Sequence, residues 1–306
     1  MPTLRGAGGG CVEAQAKVNL RLRILTREAG GYHQIETLFL RLALADTVRV
    51  RLTAGERTLD AQGLDGRTTL GPGDQNLAWR AADAYAGEAG WPAGFAIELV
   101  KRIPVGGGLG GGSADAGGVL RVLDALAPRP MPATQMLRIA ASLGADVPFL
   151  TTEHPYALAW GRGERLLPLS PPPARDVVLV VPPFGVNTAE AYRWLAASRE
   201  ASGAGPEAAV LDADALTDWA RLEPLATNDF EAVVAVRHPE IAAIVRALGS
   251  AGCRPALMSG SGSVVFGVLP EPLGTEATLV GDPALGGRRI ITTTAVTVAP
   301  VTPSAN

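Results

Sequence analysis

The sequence is poor in cysteine and in long apolar runs. Its two cysteines, Cys11 and Cys253, lie far apart, so they predict neither a disulfide framework nor a cysteine-rich metal site. No apolar run reaches the roughly 18 residues that a membrane span needs, and residues 1–10 do not have the apolar core of a secretory signal. We therefore expect a cytoplasmic protein with no membrane partner.

Lysine is also scarce, and the formal net charge is −3 at pH 7. A negative chain is not typical of nucleic-acid-binding domains, which usually carry a basic surface, so no nucleic-acid partner is expected. Of the 27 basic residues, only Lys17 and Lys101 are lysine. An ammonium binds phosphate oxygens as a compact point charge, unlike a planar guanidinium. Both lysines are therefore candidate functional residues, although chance alone would also explain two.

The length of 306 residues and a hydrophobic content of 47% are typical of a globular protein with one large or two ordinary domains. A proline-rich segment follows Ser170 and is the best candidate for a domain boundary. We therefore expect domains at 1–170 and 171–306, with the last strand of the chain able to pack back toward the N-terminal domain. Residues 300–306 are predicted to be disordered. Periodicity predicts strands at 12–24, 35–44, 48–52, 177–181 and 289–298, helices at 75–88 and 134–143, and a hairpin of 156–160 with 164–169.

A glycine-rich stretch, 104–116, is the most informative part of the sequence. Six of the nine residues from Gly106 to Ala114 are glycine, and they lie between a predicted strand and a predicted helix. Glycine lets the backbone approach a ligand closely, and a helix start offers unpaired N–H groups to an anion. We expect a phosphate site, with Ser113 capping the helix or binding a phosphate or a metal ion. The alternative is a flexible connection without a ligand.

Two common phosphate-binding loops do not fit this stretch. Residues 112–114 read Gly-Ser-Ala and so lack the lysine of a Walker A motif. Glycines 106, 108 and 111 match the spacing G-x-G-x-x-G, but a dinucleotide-binding fold also needs an acidic residue on a second strand about twenty residues later. The sequence after the loop is helical to 127 and then turns through three prolines. It is therefore neither motif.

For three charged residues, Lys17, Asp146 and Lys101, the local sequence is less informative than it is for the glycine-rich stretch. Lys17 and Asn19 share one face of the first predicted strand, roughly 7 Å apart, where a solvated sheet face is the alternative. Asp146 lies in a turn before Pro148, where a capping or turn aspartate is the usual explanation. Lys101 ends the strand before the glycine loop, so an exposed strand end is its expected environment. Residues 228–231 are predicted to cap a helix.

The glycine stretch resembles the phosphate loop of the superfamily of galactokinase, homoserine kinase, mevalonate kinase and phosphomevalonate kinase. The match is Pro-x-Gly-x-Gly-Leu-Gly-Gly-Gly-Ser at 104–113, with Ala114 in place of the usual second serine. Ala-Lys-x-Asn-Leu at 16–20, Gly-Ala-Asp-Val-Pro at 144–148 and the small residues of 258–263 are similar to further motifs of this superfamily. The resemblance covers about 12–298.

This resemblance implies an α+β fold with a ribosomal S5 domain 2-like first domain, a ferredoxin-like α/β sandwich as the second, and an active site in the cleft between them. Lys17 and Asp146 would be catalytic, ATP would be the phosphoryl donor and Mg²⁺ would accompany it; Ser113 is a possible metal ligand, and Asp115 is the nearest carboxylate. The implied ATP-binding residues are Pro104, Val105, Gly106, Gly107, Gly108, Leu109, Gly110, Gly111, Gly112, Ser113 and Ala114.

Within the superfamily, the sequence is most similar to the kinases that phosphorylate the 2-hydroxyl of 4-diphosphocytidyl-2-C-methyl-D-erythritol, an isoprenoid precursor. In these relatives, a Tyr-His turn and a later aromatic residue hold the cytosine. The implied substrate-binding residues are Asn19, Tyr32, His33, Thr188 and Tyr192. The expected partner is a cytidine diphosphate sugar alcohol, bound by a monomer or weak homodimer. The alternatives are another small-molecule kinase, such as a homoserine or mevalonate kinase, and a non-catalytic nucleotide-binding module.

Overall fold

The computed structural model describes residues 8–28, 30–63, 75–203, 211–270 and 287–304. Its first part is organised around two long antiparallel strands, β1 (Gly9–Arg27) and β2 (His33–Thr53). Their apolar side chains alternate along the chain, which is the pattern of strands that bury one face, but residues 14–22 of β1 are buried on both faces. The elements that follow are β3 (Arg57–Gln62), α1 (Leu77–Ala89), β4 (Gly94–Val100), α2 (Gly111–Leu126), α3 (Ala133–Leu143), α4 (Val147–Thr151), β5 (Tyr156–Gly161) and β6 (Arg165–Pro168).

The second part contains a smaller sheet and its helices. Its elements are β7 (Asp176–Val181), α5 (Thr188–Ser202), α6 (Trp219–Leu222), β8 (Thr227–Asn228), α7 (Glu231–Ala235), α8 (Pro239–Ser250), β9 (Ala256–Met258), β10 (Val265–Val268), β11 (Arg288–Thr293) and β12 (Thr302–Pro303). Among the described residues, the smaller sheet has the order β11-β7-β10-β9 and all its pairs are antiparallel. α8 packs against β9 and β10.

The larger sheet runs β12-β1-β2-β4-β3, and β5, β6 and β8 extend it away from this path. β4 pairs with the second half of β2, whereas β5 pairs with its first half. α2 packs across β1 and β2 and also contacts α1 and α4. Every residue of α2 from Ala114 to Leu126 is buried, so this helix has no solvent-facing side beyond its first turn. The loop before α2 is therefore fixed at the edge of the main core.

Two sheets flanked by helices are the α+β architecture that the sequence predicts, and the predicted hairpin is β5 with β6. The separate strands predicted at 35–44 and 48–52 are wrong, because β2 is continuous. The break in the apolar pattern comes from Asp46, which is buried and remains paired with β1 through Ala14. A charged residue inside a strand interrupts the pattern without ending the strand when it has a buried partner.

The predictions for the chain end are also partly wrong. The predicted strand at 289–298 ends earlier, with β11 at Thr293, after which Thr294 bridges to Leu42 of β2. The disorder predicted at 300–306 does not hold for β12, which pairs with Gly10 and Cys11 of β1; residues 305–306 lie outside the described part. Tertiary pairing with a strand far away in the sequence gives this segment its structure, and its local sequence carries no sign of it.

Candidate active site

Lys17 reaches the glycine loop with both its backbone and its side chain. The pairing of β1 with β2 shifts register between Gln15 and Lys17, as at a β-bulge, and such an irregularity releases a backbone group from the ladder. The N–H of Lys17 donates instead to the carbonyl of Leu109 at 3.0 Å. The bulge therefore ties the first strand to the middle of the glycine loop.

The Lys17 ammonium lies in a buried polar cluster. Its Nζ donates to Asn19 Oδ1 at 2.7 Å and lies 3.2 Å from Asp146 Oδ2. Asn19 Nδ2 donates in turn to Thr37 Oγ1 at 2.7 Å, which fixes the orientation of the amide. The Lys17 side chain is 3% exposed, whereas that of Asp146 is 29% exposed. The carboxylate thus remains open to a ligand while it pairs with a buried cation.

Asp146 precedes a short helix and yet does not cap it. It occupies the N-cap position of α4, but its side chain makes no capping hydrogen bond. The carboxylate is therefore free to face Lys17, and the capping explanation is wrong for this residue. α4 begins at Val147 with Pro148 in its first turn, where a missing N–H costs no hydrogen bond.

The glycine loop has the backbone shape that only glycine adopts easily. Gly108 and Gly110 have φ of +80° and +73°, and α2 begins immediately afterwards with Gly110 as its N-cap. Ser113 is therefore the third residue of the helix, so the expected capping role is wrong. The first-turn N–H groups of Gly111, Gly112 and Ser113 have no acceptor within the helix. They form the positive end of α2, which favours an anion.

A loop from the second part of the chain, 258–263, closes against the glycine loop. Ser259 Oγ donates to the carbonyl of Gly108 at 3.0 Å, and the N–H of Val264 donates to the carbonyl of Gly107 at 3.2 Å. Asn228 Nδ2 supports this loop by donating to Gly260 O at 2.8 Å. The N-cap of α7 is Phe230, which has no side-chain cap, but Asn228 Oδ1 accepts from the N–H of Phe230 at 3.0 Å, directly before the helix. Asn228 therefore supports the start of α7, as predicted for 228–231, and also holds the second loop against the first.

These residues surround a cavity of about 760 Å³. One wall holds Lys17, Asn19 and Asp146, and another is the glycine loop with its helix start. The structure thus brings together the following predicted site residues: Lys17, Asn19, Pro104, Val105, Gly106, Gly107, Gly108, Leu109, Gly110, Gly111, Gly112, Ser113, Asp146, Thr188 and Tyr192. Asn76 also lines this cavity, and its Oδ1 caps α1 by accepting from the N–H of Ala78 at 2.9 Å.

The other predicted substrate residues line an adjacent cavity of about 1070 Å³, which contains Tyr32 and His33. Tyr192 borders both cavities. The His33 ring stacks on Tyr192 with 4.4 Å between ring centroids and 22° between planes. Tyr32 does not face Tyr192 in this arrangement: it is 59% exposed, and the Arg162 guanidinium lies 3.9 Å from its ring centroid. The ring that faces Tyr192 is therefore that of His33, and not that of Tyr32.

The electrostatics of this second cavity favour a neutral imidazole. Burial, with added repulsion from Arg27 and Arg199, lowers the pKa of His33 below its usual range. Burial also raises the pKa of Tyr192 to about 12, and the charge of Asp146 acts in the same direction. At neutral pH, His33 is thus an uncharged donor and acceptor, and Tyr192 retains its hydroxyl proton. Thr188, at the start of α5, shares a 2.8 Å hydrogen bond with Ser261.

Sequence reasoning missed a buried charge cluster beside the glycine loop. The exposed environment predicted for Lys101 is wrong: its side chain is 3% exposed and pairs with Asp46 and Asp115. Burial alone would lower the pKa of Lys101, but the two carboxylates raise it above its usual range. Asp115 Oδ1 is buried without a hydrogen-bond partner in the described part of the chain. The scarcity of lysine was a signal for this site, since both lysines line the same cavity.

Comparison with known proteins agrees with this geometry. Residues 76–154 match the family described as GHMP kinases N terminal domain, and residues 211–277 match GHMP kinases C terminal. The chain is 41% identical to a 4-diphosphocytidyl-2-C-methyl-D-erythritol kinase of Solibacter usitatus, over 85% of this chain and 81% of the relative. It is 42% identical to the kinase of the same name from Anaeromyxobacter dehalogenans, over 84% of this chain and 80% of that relative.

Solved structures show the same similarity. A crystal structure of 4-(cytidine 5'-diphospho)-2C-methyl-D-erythritol kinase matches with a TM-score of 0.74 and 35% identity, over 93% of this chain and 99% of the other. A homoserine kinase from Cytophaga hutchinsonii has a TM-score of 0.70 at 18% identity, over 97% and 98% of the two chains, which shows a common fold. The chain belongs to the 4-diphosphocytidyl-2-C-methyl-D-erythritol kinase family of the GHMP kinases.

Proposed function

We propose that the protein transfers the γ-phosphoryl group of ATP to the 2-hydroxyl of 4-diphosphocytidyl-2-C-methyl-D-erythritol. The observation that carries this proposal is the Lys17–Asp146 pair, 3.2 Å apart in the wall of the cavity that the glycine loop forms. The names of the relatives, at about 40% identity over most of both chains, support the choice of substrate. A module that only binds nucleotides would not need this pair.

The catalytic roles follow from charge and exposure. Phosphoryl transfer depends mainly on positioning and on neutralising developing charge. Asp146 is open to the cavity and would accept the proton of the attacking hydroxyl. The buried Lys17 ammonium, which pairs with Asp146, would stabilise the charge of the transferred group. Asn19, which is hydrogen-bonded to Lys17 and Thr37, holds the ammonium in place.

The donor end of the site is the glycine loop. Its close-packed backbone and the first-turn N–H groups of α2 would bind the ATP phosphates. Mg²⁺ keeps several waters and takes one or two oxygen ligands from a protein when phosphates supply the rest. The described residues contain no group of three metal-ligating side chains. Two oxygens could supply these ligands: the hydroxyl of Ser113 and Oδ1 of Asp115, which has no hydrogen-bond partner among the described residues.

The acceptor end is the second cavity. A cytosine ring would stack on an aromatic side chain there, with Tyr192 and Tyr32 as the stacking residues. The neutral imidazole of His33 would hydrogen-bond the pyrimidine edge. Because His33 now stacks on Tyr192, a base that enters between them must displace one of the two rings. Thr188 lines the first cavity on the same helix as Tyr192 and would contact the sugar-alcohol portion.

We also propose a location, an oligomeric state and a domain division for the enzyme. The described residues contain no helix long and apolar enough to cross a membrane, which agrees with a cytoplasmic location. We propose a monomer or weak homodimer, with domains at 1–170 and 171–306. β12 pairs with β1 of the first sheet, so the end of the chain would belong structurally to the first domain.

The substrate assignment can be tested with an acceptor panel. The purified protein is incubated with ATP, Mg²⁺ and one acceptor at a time: the cytidyl compound, homoserine or mevalonate. We expect ADP release and a new phosphate ester only with the cytidyl compound, with the ester located at the 2-position by NMR. Phosphorylation of homoserine or mevalonate, with none of the cytidyl compound, would refute the assignment. ADP release that no acceptor stimulates would refute the kinase activity itself.

A further inference from the structure

Three charged side chains form a buried cluster beside the glycine loop, and the proposed chemistry uses only one oxygen of it, Asp115 Oδ1. They are Asp46 of β2, Lys101 at the end of β4 and Asp115 of α2, and each side chain is 3% exposed or less. Buried charges are costly unless they are paired and hydrogen-bonded. Such a cluster at the edge of a ligand cavity therefore calls for a reason beyond stability.

The Asp46 carboxylate holds the segment that enters the glycine loop. One oxygen, Oδ1, accepts from the N–H of Arg102 and from the N–H of Ile103, the latter at 2.8 Å. The other oxygen, Oδ2, accepts from Lys101 Nζ. One side chain therefore binds three consecutive residues directly before Pro104, where the loop begins.

The Lys101 ammonium connects this segment to the segment that leaves the loop. Its Nζ also donates to Asp115 Oδ2, on the first turns of α2. The same nitrogen lies against the start of that helix, 3.5 Å from the position that a Cβ would take at Gly111. Asp46 and Asp115 are thus joined through one ammonium, and the glycine loop spans the distance between the two anchored ends.

The glycine content of the loop makes this connection important. Each glycine loses more conformational freedom than other residues when it is ordered, and the loop has six between Gly106 and Gly112. If a ligand had to order the loop on binding, the conformational entropy lost by these glycines would reduce its affinity. We propose that Asp46 and Lys101 are positioning residues that fix both ends of the glycine loop before the nucleotide binds. This inference rests on the proposed binding of ATP phosphates by the loop.

The choice of lysine fits this role. A lysine ammonium carries three donors on a compact centre and can bind two carboxylates that approach from different elements. Arginine would place a larger planar group at this position. The Lys101 side chain is only 3% exposed and its Nζ lies against Gly111, so the site has no space for a guanidinium. This accounts for one of the two lysines in a chain that otherwise uses arginine.

The test measures nucleotide affinity and loop order without an acceptor. In Asp46→Asn, the backbone contacts at Oδ1 can persist, but one of the two negative partners of Lys101 is lost. We expect ADP to bind at least tenfold more weakly, by calorimetry in EDTA so that metal does not contribute. We also expect hydrogen exchange to become faster at 104–114 in the free protein. Unchanged affinity together with unchanged exchange would overturn the proposal.

The matched control is Asp124→Asn. Asp124 is a mostly buried carboxylate at the far end of α2, where its Oδ1 accepts from the Tyr85 hydroxyl at 3.1 Å and from Met131 N at 2.7 Å. We expect this variant to lower the melting temperature and to leave ADP affinity within twofold of wild type. An equal loss of ADP affinity in both variants would mean that the loss of any buried carboxylate in this part of the chain has the same effect, and would also overturn the proposal.

A second variant covers the case in which Asp46→Asn does not fold. Asp115→Asn leaves the pair of Asp46 with Lys101 intact and weakens only the link to α2. We expect a threefold to tenfold loss of ADP affinity in EDTA and faster exchange at 104–114; wild-type values for both would contradict the proposal. None of these measurements contains an acceptor, so a failure of the proposed substrate in the acceptor panel would leave them unaffected.

Discussion

Replacing Gly108 with alanine tests how closely the two loops of the active site are packed. Gly108 has φ of +80°, a conformation that costs an L-residue about 1–2 kcal/mol. A Cβ there would lie 2.0 Å from the carbonyl oxygen of Ser259. That carbonyl accepts from the N–H of Gly262 at 3.0 Å, and the Ser259 hydroxyl donates to Gly108 O at 3.0 Å. Ser259 can move aside only by giving up these contacts.

The size of the effect follows from these bonds. Each intramolecular hydrogen bond contributes about 0.5–1.5 kcal/mol, so the loss of two adds about 1–3 kcal/mol to the conformational cost. Gly106→Ala is the matched control, because Gly106 has a similar φ of +74° but no atom within 4 Å of the position that a Cβ would take. We therefore expect Gly106→Ala to show only the conformational cost, about 1–2 kcal/mol.

The assay is equilibrium unfolding of both variants in urea, followed by calorimetric titration with ADP. We expect Gly108→Ala to be less stable than Gly106→Ala by about 1–3 kcal/mol, and to bind ADP more weakly because the loop is displaced from the start of α2. Equal stabilities for the two variants would show that Ser259 yields without cost. In that case the close packing of the two loops would not contribute to the site.

Three further predictions concern the catalytic residue and the acceptor cavity. Lys17→Met should lower kcat by about 10²–10³ in steady-state assays, with little change in KM; a change in KM alone would contradict the role of Lys17. Tyr192→Ala should raise KM for the cytidyl acceptor about tenfold, since stacking contributes about 1–3 kcal/mol per base, while Tyr192→Phe should match wild type and KM for ATP should not change in either. Because burial lowers the pKa of His33, the acceptor KM should rise as the pH falls and the imidazole gains a proton, with a midpoint below the usual histidine pKa of about 6.5; a midpoint at or above that value would contradict this.

The same lowered pKa sets the direction of a stability effect. The unfolded chain takes up the His33 proton at the usual pKa, whereas the folded chain takes it up only at lower pH. The contribution of His33 to folding is therefore fully present above the unfolded pKa. It is lost as the pH falls from the unfolded pKa toward the folded one. In His33→Gln, this part of the acid destabilisation should disappear from a thermal denaturation series.

Much of the site was predictable because its parts carry local patterns. The alternation around Lys17 and Asn19 predicts a strand with both residues on one face, and the glycines of 106–112, between a predicted strand and a predicted helix, indicate a loop that leads into a helix start. What local patterns could not provide was the meeting of Lys17 with Asp146, which depends on how α4 packs against α2 and α2 against β1. That meeting was implied by the resemblance to a known superfamily, and in the folded chain the two groups lie 3.2 Å apart.

The errors have a common physical origin. Asp46 broke the apolar pattern of β2, and Lys101 looked like an exposed strand end, because each was considered without the other. A buried ion pair between distant positions makes both of its members look like surface residues in sequence. The segment around β12 was misjudged in the same way, since its order comes from pairing with β1. Interactions of this kind are set by tertiary contact and leave no periodic signal.

The central claim is that Asp146, held against Lys17 at the glycine loop, accepts the proton of the acceptor hydroxyl. It is tested most directly by measuring turnover and ADP affinity together for Asp146→Asn. The account predicts that kcat falls by about 10²–10⁴, while ADP binds within about threefold of wild type because the glycine loop is intact. A kcat close to wild type would contradict it.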